Sequence, residues 1–181
     1  VCLGCESWMK ADFSFRTFCF LLIVAIAAHN FEEWLTFPHF GGSMSLFGSW
    51  LGMPLQPTKS WPVRQMALIV ATILPASLLL WAGTGKHFRA KAWIACFIAA
   101  IFLANVAVPH VPQSLLKGGY TPGLVTALLV NLPLCGAMLF RARSARWLTK
   151  GELGFAVMAG ILLLPVGIAI AYALGEVVVG I

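Results

Sequence analysis

The chain has 181 residues, of which 60% are hydrophobic and 10% charged, with a formal net charge of +6. A soluble domain carries about 25% charged residues. This chain has too few to coat a water-exposed surface, and its mean hydropathy of +0.91 points the same way, so a soluble globular enzyme is excluded. The basic residues sit in short connections between apolar runs. That pattern reads as membrane topology, with the lipid bilayer as partner and no nucleic acid.

In chain order, residues 1–12 are expected to be an N-terminal extension and residues 13–181 a single transmembrane domain. Cys2 and Cys5 form a lone CxxC with no second pair, a weak metal or redox signal. Met9-Lys10 would make a natural start, so residues 1–8 are expected to be an upstream or processed segment.

A helix crossing a bilayer takes about 20 mostly apolar residues. Five segments qualify: residues 13–37, 62–82, 92–108, 122–140 and 150–178. Ser60, Trp61 and Pro62 open the second span. Pro109 is expected to close the third, because helices ordinarily stop before proline. Thr121 and Pro122 are expected to open the fourth as N-cap and first helical residue, although Tyr120 to Gly123 also reads as a plain turn. Thr149 and Glu152 have capping-box spacing at the start of the fifth. Pro75, Pro133 and Pro165 fall inside spans, where bilayer helices tolerate kinks. Cys19, Cys96 and Cys135 lie in apolar runs and pack as small hydrophobes. A signal-peptide reading of the first run, cut near Ala27, would strand the polar motif that follows it.

The connection over residues 38–60 is long and carries Met44, Leu46, Phe47, Trp50 and Leu51. It suits an interfacial or re-entrant segment, or a loop resting on headgroups. Lys10, Arg16, Lys86, Arg89, Lys91, Arg141, Arg143, Arg146 and Lys150 fall on the side of the N-terminus, against Lys59, Arg64 and Lys117 on the other. Lys and Arg stay cytoplasmic, so the expected architecture is an all-α bundle of about five transmembrane helices, N-terminus inside and C-terminus outside.

Ionisable side chains in hydrocarbon are costly and usually face a cavity or one another. The first span carries His29, Asn30, Glu32 and Glu33 in its outer half. Residues three and four apart share a helix face, so His29 meets both Glu32 and Glu33. Asn105 and His110 end the third span, Tyr120 and Asn131 belong to the fourth, and Tyr172 and Glu176 end the fifth. Four spans thus bring polar groups to one level, and the inner half has nothing comparable. His39, beside Pro38, reads as an interfacial residue and His87, beside Lys86, as a solvated one.

His29-Asn30-Phe31-Glu32-Glu33 is an HxxEE motif, Tyr120-Thr121-Pro122-Gly123 is a YxPG motif, and His110 lies between them. In these elements, from His29 to Gly123, the chain resembles the HXXEE family of small bacterial membrane proteins. The resemblance implies a bacterial inner membrane protein and brings no reaction with it.

Imidazole and carboxylate together suit zinc, iron or manganese. His29, Glu33 and His110 are the candidate ligands of such a divalent metal. Glu32 is the candidate general base, Tyr120 an orienting donor, and Glu176 a further acid–base or supporting carboxylate. The leading expectation is a metal-dependent hydrolase or oxidoreductase acting on a hydrophobic or lipid-like small molecule, with its site on the extracytoplasmic side. Metal-free acid–base isomerisation or cyclisation, ion or proton transport, a subunit role and purely structural hydrogen bonding remain open. Transport is disfavoured by the apolar inner half.

Overall fold

The computed structural model describes residues 15–40, 60–84 and 88–180. The N-terminal extension with its CxxC, His87 and nearly all of the 38–60 connection lie outside them. Among the described residues there is no strand, and five helices are long and apolar enough to cross a membrane. Their composition explains the class: in hydrocarbon every backbone N–H needs a partner inside its own segment, which a helix supplies.

Helix α1 spans Phe15–Thr36 and runs into a tighter turn, Phe37–His39. Helix α2 spans Trp61–Ala82, opening at Trp61-Pro62 as expected and containing Pro75. Helix α3 covers Phe88–Lys117, α4 covers Leu124–Ser144 and α5 covers Lys150–Val179. The capping box is present at α5: Thr149 Oγ1 accepts from the Glu152 N–H, and the Thr149 N–H donates to the Glu152 carboxylate. Helix α5 lies against α2 and α3, and α3 also packs on α4. Close approach of α5 to α3 depends on Gly160, where a Cβ would stand 2.8 Å from that of Ala100 and 2.9 Å from the Phe97 carbonyl.

Two expectations about helix ends are corrected. Pro109 does not close the third span. The helix widens into a π turn over Val106–His110, where the Val111 N–H reaches the Val106 carbonyl, and then continues as α-helix over Val111–Lys117. Proline lacks the N–H and its ring crowds the carbonyl four residues back. A wider turn relieves both. The fourth helix does not begin with Thr121 as its cap. Pro122 and Gly123 form a turn, and Leu124–Thr126 follows Gly123, which has φ 79°. The plain-turn reading is the one that holds. A second π turn, Ala127–Asn131, interrupts α4. Each wide turn is followed two residues later by a proline, Pro112 and Pro133.

The half of the bundle containing the start of α1 is packed with Leu22, Leu79, Ala92, Ala95, Cys96, Ala99, Cys135, Met138 and Ala142. At its end Phe15, Phe88 and Trp147 meet edge to face. Lys91 is buried there, donating to the Thr84 carbonyl and lying over the Trp81 ring. The opposite half holds the polar residues.

Candidate metal centre

His29 and Glu33 lie one turn apart on α1, and the π turn of α3 brings His110 to face them. His29 is fully buried, and Glu33 and His110 nearly so. The Glu33 carboxylate stands 3.7 Å from His29 Nε2 and 3.4 Å from His110 Nε2. One ligand atom from each of the three lies within 4.8 Å of the others. The imidazole rings meet edge to face with centroids 4.9 Å apart, and the Phe102 ring also meets His29 edge to face at 6.4 Å. The three residues expected as ligands therefore converge.

Gly123 forms the floor. A Cβ at this position would come within 2.8 Å of His29 Cε1, 2.9 Å of Glu33 Cγ and 2.9 Å of His110 Cε1. Its φ also lies in the left-handed region that disfavours side chains. Position 123 thus requires glycine for two independent reasons. The turn residue of the YxPG motif is a wall of the same site that the HxxEE motif builds.

Glu32 joins the two motifs. Its Oε1 accepts from the Tyr120 hydroxyl at 2.6 Å and the Val125 N–H at 3.2 Å. Its Oε2 accepts from the Thr126 N–H at 2.8 Å and the Thr126 hydroxyl at 2.6 Å. These bonds hold the start of α4 against α1. They also fix a proton on His29. The Thr126 hydroxyl has one hydrogen, directed at acceptors, Glu32 or the Gly123 carbonyl at 3.3 Å. Its oxygen can therefore only accept from His29 Nδ1, 3.0 Å away. Nδ1 carries the hydrogen and Nε2 keeps its lone pair. The Asn105 amide nitrogen completes the pattern, 3.1 Å from Nε2 of His29 and 3.1 Å from Nε2 of His110, with one hydrogen for each. Tyr120 lies between the spans, and burial together with the Glu32 carboxylate raises its phenol above the usual range.

The converging group does not include the remaining candidates. Asn131 is buried at the end of the α4 wide turn, and neither polar atom of its side chain has a partner. Glu176 is half-buried near the end of α5, one turn beyond Tyr172. His39 is exposed. Sequence reasoning missed Thr126, and it recognised Asn105 only as a polar residue at the right level. The available signal was slight: Thr126 stands three residues after Gly123, which places it on the first turn of the following helix.

A family model described as "Protein of unknown function with HXXEE motif" matches residues 20–138, well over half of the chain. The chain is 27% identical over 128 residues to a Bacillus subtilis (strain 168) protein named "Uncharacterized protein YrkK", covering 68% of this chain and 71% of that relative. No solved structure matches.

Proposed function

The chain belongs to the HXXEE family, and we propose that it is a membrane-embedded, metal-dependent enzyme acting on a hydrophobic or lipid-like substrate. The observation that carries this reading is the buried convergence of His29, Glu33 and His110. A tetrahedral ion with ligand bonds of about 2.0–2.1 Å needs donor atoms roughly 3.3–3.4 Å apart. The separations of 3.4 and 3.7 Å around Glu33 stand close to that, and the whole trio lies within 4.8 Å, a spread that a bound ion would draw in. Nε2 of His29 carries a lone pair that meets the Asn105 amide here and would have to be yielded to an ion. It is oriented by the carboxylate–hydroxyl–imidazole relay from Glu32 through Thr126, the kind of outer support that tunes metal-binding histidines. Three protein ligands leave one position for substrate. A divalent zinc, iron or manganese ion there would supply Lewis acidity.

The chain's own residues divide the remaining work. Glu32 already accepts four hydrogen bonds, which suits it to positioning His29 more than to taking a proton. Tyr120 steadies Glu32. Glu176 remains the candidate acid or base on α5. Placement within the spans favours a substrate that arrives through lipid. The charge bias of the connections favours the bacterial inner membrane, with the site toward the extracytoplasmic side.

Elemental analysis of protein purified from zinc-, iron- and manganese-supplemented membranes tests the metal. About one ion per chain is expected in the parent and almost none in His29→Ala or His110→Ala. An ion-free parent would sink the metal reading. Mass spectrometry of a bacterial lipid extract incubated with proteoliposomes tests the reaction, with a product expected that His110→Ala fails to make. Glu33 between two imidazoles also suits metal-free acid–base chemistry, and a product formed at full rate under chelation would select that reading.

A further inference from the structure

At the end of the bundle opposite the His/Glu cluster, a cleft of about 530 Å³ is lined by Phe88, Arg89, Arg143, Arg146, Trp147 and Thr149. We infer that this cleft is a binding site for a phosphate group, presented by an anionic phospholipid headgroup.

Three observations carry it. First, among the described residues the cationic charge is not balanced from within. Arg89 is paired with Glu152, at 2.8 Å from Nε and 2.9 Å from Nη2. The same carboxylate also takes the Thr149 N–H and hydroxyl. Glu152 is therefore fully engaged, and Arg143 and Arg146 gain no carboxylate partner among the described residues. Gathering guanidinium groups around one opening is repulsive unless an anion joins them, and guanidinium geometry matches phosphate oxygens in pairs.

Second, the backbone carries a cost at one of these arginines. Helix α4 ends with the Trp147 N–H on the Ala142 carbonyl, and the residue inside that closing turn is Arg146, with φ 57°. This position usually selects glycine. Among the described residues Arg146 is the non-glycine residue with positive φ. A cation is held where a turn alone would take no side chain.

Third, the surroundings suit a lipid. Trp147 and Phe88 form one wall and pack on each other and on Phe15. The cleft sits where α3, α4 and α5 reach their ends, at headgroup depth for helices that cross a bilayer. Basic pockets between helix ends take phosphorylated headgroups, and aromatic rings line the same level. This inference is independent of the metal centre.

The test measures thermal stabilisation and lipid retention by native mass spectrometry on the full chain in detergent. Dioleoyl phosphatidylglycerol, dioleoyl phosphatidylcholine and inorganic phosphate are added separately. Arg143→Gln and Arg146→Gly remove the cations, and Arg146→Gly also relaxes the turn, so loss of binding cannot be ascribed to misfolding. Lys150→Gln removes an exposed charge at the same end that does not line the cleft. Phosphatidylglycerol is expected to be retained over phosphatidylcholine. That preference should fall roughly fivefold for each arginine removed and stay unchanged in Lys150→Gln. Equal retention of the two lipids, or an equal loss in Lys150→Gln, overturns the site. Stabilisation by inorganic phosphate matching that by phosphatidylglycerol keeps the phosphate site but overturns the lipid as its source.

Discussion

The two halves of the bundle are built by different rules. Around Leu22, Ala95, Cys96, Ala99 and Met138 the helices are regular and the contacts are between small or aliphatic side chains. Around His29, Glu33 and His110 two of the helices depart from α geometry, a glycine replaces a side chain as the wall, and Glu32, Thr126, His29, Asn105 and His110 form one chain of polar contacts. Lipid tails are as apolar as leucine, so helices gain little from hydrophobicity alone, and close packing suffices to hold the first half. The second half accepts irregular backbone and buried carboxylates, features that concentrate at functional sites. The apolar half serves as a frame and the polar half as an instrument mounted on it.

Equivalent changes in the two halves should therefore have unequal effects. The largest contrast is between Gly123→Ala and Gly136→Ala. At 123 the new methyl meets both imidazoles and Glu33, and the left-handed backbone alone costs about 1–3 kcal/mol. Lost metal and a lowered unfolding temperature in detergent are expected. At 136 a Cβ meets nothing within 4 Å, so Ala should be neutral or stabilising by about 0.4–1 kcal/mol with metal content intact. Equal outcomes at the two positions would erase the distinction.

Next is Thr126→Val, which takes the Thr126 hydroxyl acceptor away from the His29 Nδ1 hydrogen. Metal affinity, read by chelator competition, should fall about 10–100-fold, as for other outer partners of metal-binding histidines. Its counterpart, Met138→Leu in the apolar half, should cost under about 1.5 kcal/mol and leave affinity alone. A Thr126→Val protein that binds metal normally would show that the relay from Glu32 plays no part.

The smallest effect concerns Tyr120. Burial first, and the Glu32 carboxylate second, hold its phenol protonated to higher pH than usual. The hydrogen bond to Glu32 is therefore complete below about pH 10, the ordinary tyrosine value, and is lost as pH rises through the elevated one. In a Tyr172→Phe background, absorbance at the tyrosinate band should titrate above that ordinary value. Glu32→Gln should move it only part of the way back, because burial persists. A return all the way would make the carboxylate the dominant cause.

The frame was legible in the sequence to within a few residues, because hydropathy and capping chemistry are local. Thr149 and Glu152 announce the start of α5 by their own spacing. The ligand trio was legible because His29 and Glu33 share a helix face and because ionisable groups in hydrocarbon seek one another. Thr126 was not legible, since its role exists only when Glu32 lies across from it. Pro109 misled because the rule that proline ends a helix assumes α-type hydrogen bonding, and a wider turn escapes that assumption. Gly123 shows the same limit: a turn glycine is visible locally, but the imidazole pressed on it from another helix is not.

Each π turn holds one residue more than an α-helix would use, and that surplus rotates everything beyond it by about 100°. Angular phase is thereby encoded by residue number, independently of hydropathy. Removing a single codon between Asn105 and His110 would leave a chain that inserts and crosses the bilayer as before, with the same composition and nearly the same length. Its second imidazole would point more than a quarter-turn away from Glu33. Length variation at these two places is thus a switch between a competent and an empty centre, written in a region where a hydropathy profile registers no change.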